Sequence, residues 1–205
     1  MIAAIAFAAA ACDDTATGPE TTDPNFVKGG QPQNSLPTIV DIVLTEDGEF
    51  DVLETLVIRS GLADALSGNR PYTVFAPQDA AFGRLFDALG VPGDTPEAQA
   101  ENACPAATGC PDFVVNTLLY HVVNGRRFSE SVVGERQVRT LLGDYFDVEG
   151  TTLVTTCEVD GNSDVGNSAI IAAVPGQTFD IPAKNGVIHV VAEVLLPKQV
   201  CDELL

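Results

Sequence analysis

The sequence contains no tryptophan, one methionine and three tyrosines. A core must therefore be built from aliphatic side chains and the ten phenylalanines. Basic residues are also scarce: ten Lys and Arg stand against 29 Asp and Glu, a net charge of −19. Such a surface repels phosphate backbones, which need Lys and Arg to displace their counterions, so nucleic acid is excluded as a partner. Bare anionic lipid is disfavoured on the same ground. The acidity by itself keeps the chain soluble. No apolar run approaches the ~20 residues that cross a bilayer. No glycine-flanked serine elbow, HExxH zinc pair or phosphate-binding glycine loop is present. Only two histidines, His121 and His189, are available for acid–base chemistry.

Hydrophobic residues make up 45% and charged residues 19%, a balance that permits a packed domain. Residues 1–11 (MIAAIAFAAAA) form an apolar run of small side chains that reads as an export signal. The Ala9-Ala10-Ala11-Cys12 box is similar to the cleavage site of bacterial lipoproteins, although no Lys or Arg precedes the run. That resemblance implies lipid attachment at Cys12 and an extracytoplasmic, membrane-anchored protein; an ordinary signal peptide, and with it a secreted protein, stays open as the alternative. Residues 13–35 are rich in Asp, Thr, Pro and Gly with no apolar period, so residues 12–35 read as an acidic tether. As a coil it would reach roughly 25 Å.

In an exported chain, Cys104, Cys110, Cys157 and Cys201 read as two disulfides, with three possible pairings. The turn-rich interval from Cys104 to Cys110 closes easily on itself, which leaves Cys157 for Cys201. The spacing does not fit paired CxxC zinc knuckles, and no metal or cofactor is expected.

Thr38 with Asp41 three residues on marks a helix start. Phe50, Leu53, Leu56 and Val57 repeat at helical spacing, with Gly61 as a stop. Tyr72–Phe75 reads as a strand, and Asp79 as the cap of a helix bearing Phe82, Leu85, Phe86 and Leu89. Residues 91–112 read as a polar loop. Asp112 reads as the cap of a helix carrying Val114, Val115, Leu118, Leu119 and Val122. After Gly125 the pattern becomes short strands: 137–142, 145–149, 151–159, 169–174, 178–181 and 186–195. Asn185-Gly186 reads as a tight turn able to take positive φ. Helices early and strands late indicate an α+β fold with a mostly antiparallel sheet.

Three ordered blocks carry more than composition does. They are Tyr72-Thr73-Val74-Phe75-Ala76-Pro77-Gln78-Asp79-Ala80-Ala81-Phe82, then Leu118-Leu119-Tyr120-His121-Val122-Val123, then Asn185-Gly186-Val187-Ile188-His189-Val190-Val191-Ala192-Glu193-Val194-Leu195-Leu196-Pro197. Together they resemble the fasciclin-type adhesion domain, over residues 36–198, with 199–205 as a tail. The resemblance implies a wedge-like sheet with helices packed around it. It also implies binding of a surface protein or polysaccharide, and no enzymatic activity. Tyr120 and His121 fall where the family's tyrosine–histidine pair lies, which has been tied to binding in animal members. Read as residues alone, both are core side chains with internal hydrogen bonds. Two other functions stay open: a hydrolase using His121 or His189, and a passive envelope spacer. The stretch Asp160–Asp164 alternates like a calcium loop but lacks the glycine and terminal acid of one. The acidic run Glu46, Asp47, Glu49, Asp51 and Glu54 reads as a solvated helix junction.

Overall fold

The computed structural model describes residues 35–45, 49–155, 168–170 and 180–204. The Cys12 site, the tether, Cys157 and the Asp160–Asp164 loop lie outside the described residues.

Helices dominate up to the end of the first aromatic block. Helix α1 (Ile39–Val43) is closed by the expected capping box, Thr38 Oγ1 accepting from Asp41 N and the Asp41 carboxylate from Thr38 N. Helix α2 (Asp51–Arg59) buries Val52, Leu53, Leu56 and Val57. It ends before Gly61, whose φ of 72° is the left-handed conformation glycine allows. Helix α3 (Leu62–Leu66) and strand β1 (Tyr72–Pro77) follow. Helix α4 (Asp79–Ala88) turns Phe82, Leu85 and Phe86 inward.

Residues 91–112 contain a helix where the composition predicts a loop. Thr95 caps α5 (Pro96–Ala103), accepting from Ala98 N, with proline at its first position. Its sequence, PEAQAENA, lacks an apolar stripe, so periodicity cannot reveal it. Asp112 is the first residue of α6 (Asp112–Tyr120) rather than its cap, which is Pro111; the helix stops earlier than its apolar run, and Val122–Asn124 pairs as strand β2. Two further short helices have no counterpart in the sequence reading: α7 (Ser129–Val132), and α8 (Lys198–Leu204) within the expected tail. The remaining strands are β3 (Gln137–Arg139), β4 (Tyr145–Glu149), β5 (Thr152–Val154), β6 (Ser168–Ile170), β7 (Ile181–Ala183) and β8 (Gly186–Val191). No helix among the described residues is long and apolar enough to cross a membrane.

The strands form two sheets, ordered β2-β1-β8-β7 and β3-β4-β5-β6. Strand pairing is antiparallel except at the centre of the first sheet. There β1 and β8 run parallel, from Tyr72 opposite Gly186 to Pro77 opposite Val191. The α+β expectation holds, and the β1–β8 pairing brings the first and third sequence blocks side by side. All six residues of β8 are buried, so both of its faces lie in the interior. The reason is that this sheet is covered on both sides. Val74, Ala76, Ile188 and Val190 pack against the helices, while Phe75, Val123 and Val191 face Val138, Phe146 and Leu153 of the second sheet. Phe75 and Phe146 meet edge to face, with ring centroids 5.2 Å apart. The second sheet has one wet face: Val138, Phe146, Val148 and Leu153 are buried while Gln137, Arg139, Tyr145 and Glu149 are exposed.

Gly186 is needed for closeness. It begins the strand, and a Cβ there would collide with the Tyr72 carbonyl and the Ile39 side chain. Asn185 does not adopt positive φ either. Its buried amide instead joins three elements. Oδ1 accepts from Ile39 N at 2.8 Å, at the start of α1. Nδ2 donates to Leu66 O at 2.6 Å and Gly68 O at 3.0 Å, at the end of α3. The Asn-Gly pair therefore serves as a junction between helices and sheet.

Candidate functional site

The chemistry-bearing side chains of this acidic chain gather in three places. The first is Tyr120-His121, at the end of α6. His121 is buried (3% exposed) and uses both ring nitrogens. Nδ1 lies 2.7 Å from Thr117 O, one turn back on the helix, and Nε2 accepts from Leu195 N at 2.9 Å. A carbonyl only accepts, so the proton sits on Nδ1. Burial pushes His121 down to about 4, against a smaller upward pull from the Thr117 carbonyl. It is therefore neutral at physiological pH. Tyr120 is also buried and donates its hydroxyl to Tyr145 O at 2.8 Å, fixing α6 to the second sheet. Burial raises its pKa, with Asp144 and Asp147 adding to the effect. The pair thus holds the core together, and neither side chain is presented to solvent.

The second place surrounds His189, which is fully buried within β8. Its ring lies 5.3 Å from that of Phe75, and Nε2 donates to Arg127 O at 2.8 Å. Nδ1 faces Asp180 Oδ1 at 3.5 Å with no hydrogen-bond partner. Asp180 accepts from the backbone N of Ser129 at 2.6 Å and from its hydroxyl at 2.9 Å, at the start of α7. Ser129, Asp180 and His189 are the ingredients of a nucleophilic triad in the wrong order. The carboxylate lies between the hydroxyl and the imidazole, so His189 cannot take the serine proton. No spacing signal marks this cluster along the chain, because its members are 51 and 9 residues apart.

Both histidines are buried, and among the described residues neither stands in an open cleft beside a serine. The hydrolase reading asks for such a cleft, and the described residues give neither His121 nor His189 one. One hollow does border His121, lined also by Ile39, Val43, Leu53, Val74 and Val122. It is walled by hydrocarbon and offers no nucleophile, and both imidazole nitrogens are already engaged.

The third place is acidic. Asp51, Asp79 and Glu97 bring carboxylate oxygens within 4.8 Å of one another. The sequence predicts Asp79 as the cap of α4, but it is that helix's first residue, after Gln78. Its carboxylate reaches across to α2 and accepts from Val52 N at 2.9 Å and Asp51 N at 3.3 Å. Phe50, at the N-cap of α2, has no side-chain acceptor, and Asp79 supplies one from another helix. Burial is the main cause that raises the Asp79 pKa; the two amides oppose it, and Asp51 and Glu97 add to it.

Cys104 and Cys110 form a disulfide that closes the segment after α5. Arg59 braces that segment from α2, donating to Cys104 O at 2.9 Å and to Glu101 Oε1 at 2.8 Å. Cys201, buried in α8, is also disulfide-bonded.

Comparison with known proteins gives a consistent result. Residues 48–197 match the profile described as Fasciclin domain. Protein sll1483 of Synechocystis sp. is 32% identical over 180 residues, covering 87% of this chain and 83% of that protein. The transforming growth factor-beta-induced protein ig-h3 of Sus scrofa is 28% identical over 164 residues, 80% of this chain but 20% of the relative. Among solved structures, a FAS1 domain pair from the insect cell adhesion molecule fasciclin I superposes with a TM-score of 0.52 at 18% identity. The match covers 80% of this chain and about half (52%) of that one, and shows the shared fold.

Proposed function

The chain belongs to the fasciclin-domain family, and on that footing we propose that it is a binding and adhesion module working outside a membrane. Its ligand is a surface protein or a polysaccharide, and Cys12 is its lipid anchor. The observation that carries this reading is the internal use of the reactive side chains. Tyr120, His121 and His189 are all buried, and Ser129 is bound to Asp180, so these groups are spent on architecture. What is left to act is the outer surface. Among the described residues, only Ile58, Val133 and Tyr145 are large exposed hydrophobics, at 51%, 39% and 53%. A surface with so little apolar area docks through polar and charged groups. The description of the solved neighbour as a cell adhesion molecule points the same way.

Two measurements test the proposal. Cells displaying the full chain should aggregate, or adhere to a matrix- or glycan-coated surface, more than cells displaying the chain without residues 36–198. Equal adhesion would leave a passive spacer and end the binding reading. Mass spectrometry of the mature N-terminus should find a diacylglyceryl-modified Cys12. An unmodified terminus beginning elsewhere would remove the anchor.

A further inference from the structure

His189 Nδ1 is the one buried side-chain nitrogen or oxygen without a hydrogen-bond partner among the described residues. A polar atom left so in a protein interior calls for an explanation. Its neighbour is equally unusual: Asp180 is the one non-glycine residue described with positive φ, 67°. A carboxylate held in that sparse conformation, against a buried imidazole, is over-determined by its surroundings.

The tautomer follows from the bonding. Arg127 O can only accept, so Nε2 carries a proton in every state. In the neutral ring Nδ1 is then a lone pair, set against a carboxylate oxygen at 3.5 Å. The two cannot bond. Adding a proton at Nδ1 turns the contact into a charge-assisted N–H···O bond, the stronger kind. We propose that His189 and Asp180 form a proton-operated clamp, open when His189 is neutral and closed when Nδ1 is protonated, acting on the segment that links the two sheets.

That segment is held at both ends by the same cluster. The Arg127 carbonyl accepts from His189 Nε2, and the Arg127 amide donates to Thr73 Oγ1 in β1 at 2.8 Å. Two residues later the Ser129 amide and hydroxyl both bond Asp180. Helix α7 then buries Val132 among the residues that join the two sheets. The pull of His189 on Asp180 is transmitted to Ser129 through these short bonds. The charged groups around the cluster are engaged elsewhere: the Arg126 guanidinium donates to the Gly186, Ala183 and Lys184 carbonyls at the β7–β8 turn. β1 contributes the Phe75 ring, and β7 is led by Asp180. The Arg127 guanidinium is paired with Glu135, while Glu130 on α7 is exposed. Burial holds His189 below its ordinary value, while the Arg127 carbonyl and Asp180 act in the opposite direction. The closed state therefore belongs to acidic surroundings.

With two histidines in the chain, ¹⁵N-detected imidazole NMR on the full-length protein resolves each. At neutral pH His189 should show the Nε2–H tautomer, and His121, the internal control, the Nδ1–H form. On acidification His189 should gain Nδ1–H, and the Ser129 amide shift should follow the same curve. Asp180→Asn keeps an acceptor for Ser129 N and tolerates positive φ. It should weaken the proton affinity of His189 at least tenfold and uncouple the Ser129 amide. Ser129→Ala, which strips a donor from the carboxylate, should move the curve to higher pH. Nδ1–H on His189 at neutral pH, a Ser129 amide indifferent to the titration, or an unmoved curve in both variants would overturn the clamp.

Discussion

Acidification from about pH 7 to about pH 5 should cost the fold ~2 kcal/mol through His121 alone, rising to ~3 kcal/mol near pH 4. The figure follows from its geometry. The neutral ring donates from Nδ1 to Thr117 O and accepts at Nε2 from Leu195 N. Protonation puts a second N–H on Nε2, so that two donors point at each other across the former bond. The folded protein therefore resists the proton, and the pKa falls from the ordinary 6.5 to about 4. A depressed folded pKa means that the unfolded chain binds the proton first. The stability is fully present above pH 6.5 and is lost as the pH falls towards 4. At 1.4 kcal/mol per tenfold change this gives the values above. Urea unfolding of the wild type and His121→Gln at several pH values isolates the effect, since most carboxylates stay ionised down to about pH 5. The His121→Gln variant should be ~1 kcal/mol less stable at pH 7, having lost one of two good hydrogen bonds. Its stability should then fall less on acidification, by about the His121 contribution. If the glutamine variant loses as much between pH 7 and pH 5 as the wild type, the assigned role of His121 is wrong.

Further outcomes follow from the junctions of the fold. Asn185→Ala strips partners from Ile39 N, Leu66 O and Gly68 O at once and should cost ~3 kcal/mol in chemical denaturation; Asn185→Asp should not restore stability, because a carboxylate cannot donate to the two carbonyls. Gly186→Ala should prevent the β1–β8 register from forming, because the added Cβ meets the Tyr72 carbonyl, and circular dichroism should show loss of cooperative unfolding. Tyr120→Phe should cost ~1 kcal/mol, by loss of the bond to Tyr145 O, without abolishing adhesion. A larger loss of adhesion than of stability would return Tyr120 to the binding surface. Asp79→Ala should cost ~1 kcal/mol by uncapping α2, and Asp79→Asn, which keeps an acceptor, considerably less.

Local signals determine much of this molecule. The Thr38/Asp41 box, the stripes on α2 and α4, the stop at Gly61 and the strand Tyr145–Glu149 each depend on neighbours a few residues away. Alternating or helical periodicity records such contacts directly. The ordered blocks around Phe75, His121 and His189 point to the family and so to the α+β fold. Helices α5, α7 and α8 are not legible, because short, polar or isolated turns leave no period. What Asn185, Gly186, Asp79 and Asp180 do is decided by tertiary structure alone. Each acts on groups far along the chain: Asn185 on Ile39, Gly186 on Tyr72, Asp79 on Val52, Asp180 on Ser129. A residue type states what it can donate, accept or make room for, but only the closed chain determines which distant group stands within hydrogen-bond reach to receive it.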